Sequence, residues 1–164
     1  GHLRGHYLNS DLRSGRLHIA HFLRPEYVAL VHDQLLADRA VMTTSPNTLL
    51  QPRLSPVSRQ CLWELQSGIM LRVLENITGL SNLLPDTHCK QSGLLVPPVT
   101  HAGIGNWHDA DTGLAAALVL LIQLDSGDAE LCTGPETLHT VAITTAALQI
   151  TYWHHPAANE GAPA

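Results

Sequence analysis

The chain has 164 residues, 45% of them apolar and 14% charged, with a formal net charge of −5. That is enough for one domain with a real core, is short for two, and excludes the disordered class. All nine Lys and Arg fall at or before Lys90, and seven acids with no Lys or Arg follow from Gln91 onward. The C-terminal half is therefore not expected to bind nucleic acid, since nothing in it neutralises phosphates.

Other features bound the setting. The longest apolar run, Leu114 to Ile122, is too short to span a bilayer, and no membrane association is expected. No basic segment followed by an apolar one marks a secretory signal. Cys61, Cys89 and Cys132 make no CxxC pair and cannot all pair with one another, which points to a reducing, cytoplasmic compartment.

In chain order, Leu17 to Phe22 reads as a short strand. Pro25 sits where a first helical residue is favoured, with Glu26 beside it in the first turn. Tyr27, Val28, Val31, Leu35 and Leu36 follow at helical spacing, so a helix is expected over Pro25 to Arg39. Met42 to Ser55, with Pro46, Asn47 and Pro52, reads as a loop. A helical region begins near Pro56, pauses at Ser67-Gly68 and ends at Gly79. Beyond Leu80 short apolar stretches alternate with Gly, Pro, Asp and Asn. Strands are expected at Gly93–Val96, Gly103–Trp107, Leu114–Leu124, Ala129–Cys132, Leu138–Thr144 and Leu148–Trp153. The tail from Pro156 reads as frayed. Helices first and strands later predict an α+β, mainly β domain, its strands forming a sandwich or barrel.

Eleven histidines, five of them after Gly93, raise the question of a metal, since His is the commonest metal ligand. Trp107-His108-Asp109-Ala110-Asp111-Thr112-Gly113 precedes the long apolar strand, and His139 lies thirty-one residues beyond His108. Two imidazoles and a carboxylate on facing strands can occupy one face of an octahedral iron(II) and leave the opposite face open. Taken alone, that set is also what surface His and Asp give by chance.

The order of several segments adds to this. Leu17-His18-Ile19-Ala20-His21-Phe22-Leu23-Arg24-Pro25-Glu26 resembles the opening strand and first helix of the prolyl-hydroxylase-like branch of the 2-oxoglutarate and Fe(II)-dependent oxygenases. Leu74 to Leu80, Leu83-Leu84-Pro85-Asp86 and Ser92-Gly93-Leu94-Leu95 resemble that branch's entry into its core strands. Gly105-Asn106-Trp107-His108, Leu138-His139-Thr140-Val141 and Leu148 to Trp153 resemble the two metal-histidine segments and the closing strand. The resemblance implies a double-stranded β-helix (jelly roll) over about 92–155, buttressed by helices over about 24–80, all in a single domain. It implies iron held by His108, Asp109 and His139, with 2-oxoglutarate as cosubstrate and O₂ as oxidant. The expected activity is hydroxylation of an amino acid, either a small molecule or part of a peptide.

Three departures qualify it. The family has one residue between the first His and the Asp, whereas Asp109 follows His108 directly, and neighbours on a strand point to opposite faces. A bulge or turn, Asp111 as the ligand, or a one-residue gap would each reconcile this. The family also places an Arg or Lys about ten residues after the distal His, where a dicarboxylate finds a cationic partner. Ala146, Ala147 and Gln149 stand there, leaving a distant Arg such as Arg72, neutral donors, or no 2-oxoglutarate at all. Thirdly, the spacing between His108 and His139 is short for the family. Ala110, read directly after the His-Asp pair, also admits a radical halogenase of the same superfamily, and a lost site admits a non-catalytic binding module.

Plainer readings stand beside these. His101 fits a solvated loop, His154 and His155 a surface pair at a strand end, Trp107 and Trp153 core aromatics, and Asp111-Thr112-Gly113 a simple turn. Glu130 resembles an acid of the family's mid-barrel strand and equally suits a solvent-facing position. The loops around Met42–Ser55 and Pro97–Gly105 are where specificity would reside.

Overall fold

The computed structural model describes residues 15–38, 55–87, 91–95, 107–143 and 145–156. The elements are β1 (Arg16–Ile19), α1 (Pro25–Asp38), α2 (Pro56–Leu65), α3 (Gly68–Thr78), β2 (Leu84–Pro85), β3 (Gly93–Leu95), β4 (Ala115–Gln123), β5 (Ala129–Cys132), α4 (Pro135–Leu138) and β6 (Ala147–His154). The helix expected from Pro25 is present, and so is the break near Ser67. Ser55 and Ser67 cap α2 and α3 by accepting hydrogen bonds from the backbone N–H groups of Ser58 and Met70, and Gly79 ends α3 in the left-handed conformation.

The described strands form one antiparallel sheet in the order β1-β5-β4-β6-β2, with β3 also pairing with β6. Among the described residues the sheet is open: β1 pairs only with β5, and β2 and β3 only with β6. The molecule is thus α+β with an antiparallel sheet. Of the strand-rich second half, Leu138–Thr144 departs from expectation. Its β-branched residues suggest a strand, but Pro135 and Glu136 open a helical turn, and Thr140 and Val141 close it with backbone bonds to Thr137 and Leu138. Local turn chemistry overrides β-propensity there. Gly103–Trp107 falls mostly outside the described residues.

Alternation divides the sheet into two buried faces. Leu17, Leu118, Leu120, Ile122, Leu131, Leu148, Ile150 and Tyr152 form one face and pack against Val31, Leu35, Cys61, Leu62, Leu65 and Leu74 of the three long helices. Val119, Leu121, Cys132 and Ala147 form the other, covered by Leu138, Val141, Ile143, Leu95 and Trp107. Facing the helices, the Tyr152 hydroxyl donates to the Leu65 carbonyl, and burial pushes its pKa up. Asp38 ties α1 to α2: its carboxylate accepts from the Ser55 N–H and hydroxyl and from the Ser58 hydroxyl.

Candidate functional site

β4 is entered through a hairpin. Trp107 O accepts from Ala116 N, His108 bridges to Ala115, and Asp109 N donates to Leu114 O. The turn is held by Asp109 itself. One carboxylate oxygen accepts from Asp111 N at 3.2 Å and the other from the Thr112 hydroxyl at 2.8 Å. Gly113 completes it with φ +74°. Asp109 is therefore an Asx-type turn residue here, and Asp111 and His108 are exposed.

A bulge decides where His108 faces. The register of β4 on β6 shifts between Ala116 and Leu118, so Ala117 is the extra residue. Ala116 pairs with Trp153 and Ala115 with His154. Residues directly opposite in an antiparallel pair share a face. Trp107, beside Ala116, thus falls on the face away from the helices, as its packing there shows. His108, beside Ala115, falls on the helical side. His139 is exposed in the turn after α4, within the segment that covers the opposite face.

Among the described residues no group of three His, Cys, Asp or Glu side chains could hold a metal ion. His108, Asp109 and His139 are all described, and no such group includes them. The backbone neighbours of the two histidines do meet: Trp107 packs against the apolar cluster to which Leu138 belongs.

The other residues of interest are dispersed. Arg72 is exposed on α3, a helix packed on the opposite side of the sheet from Gln149. His154 is half-buried at the end of β6 and His155 exposed. His101 and Cys89 lie outside the described residues, as do 42–54 and 97–105 of the two loops expected to set specificity. Cys61 and Cys132 are free and buried, and burial pushes both thiols up to about 11, so neither is poised as a nucleophile.

Sequence reasoning missed two polar clusters on the face away from the helices. At its β1 edge, Glu130 accepts from Arg16 Nε at 3.1 Å and contacts His18 Nδ1 at 2.8 Å, while a second nitrogen of Arg16 donates to the Thr140 hydroxyl. Glu130 is thus paired rather than merely solvent-facing. At the β6 edge, the buried Asp86 carboxylate accepts from Gln91 N and the Ser92 hydroxyl, and Ser92 Oγ accepts from Thr151 N. The Gln91 carbonyl accepts from both the Thr151 hydroxyl and Gln149 Nε2. Partners some 60 residues apart leave no local signature. An open cavity of about 280 Å³ also lies along α2, beside Pro56, Arg59, Gln60 and the exposed Trp63.

No family model matches the chain, and neither the curated proteins nor the solved structures contain a significant match. No helix among the described residues is long and apolar enough to cross a membrane.

Proposed function

We propose that the chain is an Fe(II) and 2-oxoglutarate-dependent oxygenase domain that hydroxylates an amino acid, free or within a peptide. The observation that carries this reading is the common anchorage of Trp107 and Leu138 in one apolar cluster. Each immediately precedes a histidine that the family resemblance assigns to iron, so the two segments border the same face of the sheet. The order of supporting helices and antiparallel strands is also what the resemblance implies. A double-stranded β-helix would require a second sheet over this face.

Iron ligation would need a local change. A local bulge at His108 that leaves Trp107 in its cluster would turn the imidazole to the face where His139 lies. The bulge at Ala117 marks this as a place where the ladder already absorbs an extra residue. Iron with 2-oxoglutarate supplies an oxidant able to break a C–H bond. The chain's own part would be to orient the substrate and keep water from this face.

One observation favours a second reading, a non-catalytic binding module: the Asp109 carboxylate is engaged by its own turn. Anaerobic addition of Fe(II) and 2-oxoglutarate separates the two. The oxygenase gives a weak metal-to-ligand charge-transfer band that disappears in both His108→Ala and His139→Ala. Substoichiometric iron and no band in folded wild-type protein overturn the oxygenase and leave the binding module.

A further inference from the structure

The three long helices leave Leu30, Trp63, Ile69 and Val73 in water. Trp63 is the most exposed of them, at 77%, and it lines the open cavity of about 280 Å³ along α2 together with Pro56, Arg59 and Gln60. Steps of three and four residues put these side chains on one stripe of the helix. The opposite stripe, Ser58, Cys61, Leu62 and Leu65, is the one that is buried. The Trp63 stripe thus faces away from the core.

The charges along this stripe are unbalanced. Glu64 is the acid of α2, and both its oxygens are taken: Oε1 accepts from Gln60 Nε2 at 3.1 Å and Oε2 from the Tyr27 hydroxyl at 3.2 Å. A carboxylate only accepts, so the Gln60 amide nitrogen is held on Glu64 and turned from the cavity. Arg59 is exposed and forms no ion pair among the described residues. It is the one charged side chain among the described residues that line the cavity. The cavity also borders the first turn of α2, where the helix dipole favours an anion.

These features select a ligand class. A guanidinium without an acid takes a carboxylate through two parallel hydrogen bonds. An exposed indole face takes an aromatic ring. Arg59 and Trp63 stand four residues apart, about 5–6 Å between Cβ atoms, so one small molecule with a ring and a short acid arm reaches both. A second carboxylate would find no second cation in the lining, and an ammonium would meet Arg59 as a like charge. The volume sits at the lower end for small-molecule sites, roughly 300–1,000 Å³, which suits a single ring rather than a long peptide.

We propose that the α2 cavity binds a small aromatic monocarboxylate, whose carboxylate pairs with Arg59 and whose ring stacks on Trp63. The site depends neither on iron nor on the oxygenase reading.

The test is a proton–nitrogen NMR titration of the full metal-free chain, at neutral pH and constant ionic strength, with 3-phenylpropionate. Its uncharged counterpart 3-phenylpropanamide and the ringless propionate serve as controls. The Trp63 indole resonance is assigned by its loss in Trp63→Phe. The expected result is a saturable shift of that resonance with 3-phenylpropionate, with a Kd at or below about 1 mM and at least about tenfold lower than for either control. In Arg59→Gln, checked for folding by thermal melt, the affinity falls about tenfold, to that of the uncharged amide. Equal affinity for the acid and its amide overturns the proposal, because it leaves only greasy contact with Trp63. Equal affinity for propionate, or no saturable shift, overturns it as well. So does a Trp63 resonance that moves on diluting the protein and not with the acid, which would make this stripe an interface between copies of the chain. The comparison of the three compounds on the wild-type chain needs no variant, and its failure leaves the iron experiment unaffected.

Discussion

The two faces of the sheet are made from alternate residues of the same strands, yet they are finished differently. Toward the helices, β4 and β6 contribute Leu118, Leu120, Ile122, Leu148 and Ile150, and the one buried hydroxyl they bring, that of Tyr152, has a partner in Leu65. On the other side, a short helical turn and a hairpin tryptophan form the cover, and an indole N–H and an amide oxygen are left unpaired. Hydrogen-bond closure thus differs with strand parity. Toward the helices the described buried side-chain polar groups are closed off, and on the other side two are left open, one of them on an amide whose orientation the Gln91 carbonyl fixes.

The largest effects belong to the helical face. Leu120 is fully buried at the centre of β4, between Leu131 and Ile150. Leu120→Ala should lower unfolding free energy by about 2–5 kcal/mol in chemical denaturation. A loss under about 1 kcal/mol would show that the helices are not the sheet's main support. Next comes Gly127, at φ +80° in the β4–β5 turn, where an added Cβ would meet the Leu23 carbonyl and a Val28 methyl, both at 2.7 Å. Gly127→Ala combines left-handed strain with overpacking and should cost about 2–4 kcal/mol. A thermal melt that leaves the midpoint unchanged would sink that account.

A smaller, pH-dependent effect tests how the helices are joined to one another. Burial pushes the Asp38 carboxyl up, but hydrogen bonds from the Ser58 hydroxyl, from the Ser55 N–H and hydroxyl and from Gln34 outweigh it and hold the group below its ordinary 3.8. A carboxyl whose folded-state value is depressed stabilises the fold at pH above 3.8, and that contribution is lost as pH falls through the lower folded-state value. Asp38→Asn should cost about 1–3 kcal/mol at neutral pH and proportionately less in acid. Equal costs at pH 7 and at pH 2–3 (roughly the low end of the carboxylate range) would remove the ionised group from the account.

Much of this arrangement was legible in the sequence, and the illegible parts share a cause. The run from Leu114 to Leu124 announced a strand, and Ala115–Gln123 is that strand. Pro25 and the Ser67-Gly68 step marked helix boundaries correctly. The facing of His108 could not be read, because it depends on a single bulged residue within three consecutive alanines, any of which looks the same in sequence. The Asp86–Ser92–Thr151 network was invisible for the opposite reason: its members are unremarkable polar residues whose meaning comes only from long-range pairing. Gln149 drew notice merely as a position lacking a cation, whereas its register opposite Leu121 places it on the face away from the helices.

The smallest predicted effect is the sharpest test of the contrast between faces. Gln149→Leu removes one hydrogen bond to the Gln91 carbonyl, but that carbonyl keeps the Thr151 hydroxyl as a donor. It also removes the unpaired Oε1, whose burial opposes folding. Leucine is close to glutamine in volume and would lie beside Leu121, so no cavity opens. The two changes offset, and the net stability of the variant should stay within about 1 kcal/mol of wild type, measured by urea denaturation. Replacing a buried polar residue on the helical face, where no buried side-chain polar atom of the described residues lacks a partner, should do the opposite, as Tyr152→Phe would by leaving the Leu65 carbonyl without its donor, at about 1–3 kcal/mol. If Gln149→Leu instead costs more than Tyr152→Phe, the amide oxygen is already satisfied within the fold, and the two faces do not differ in the way their hydrogen bonds imply.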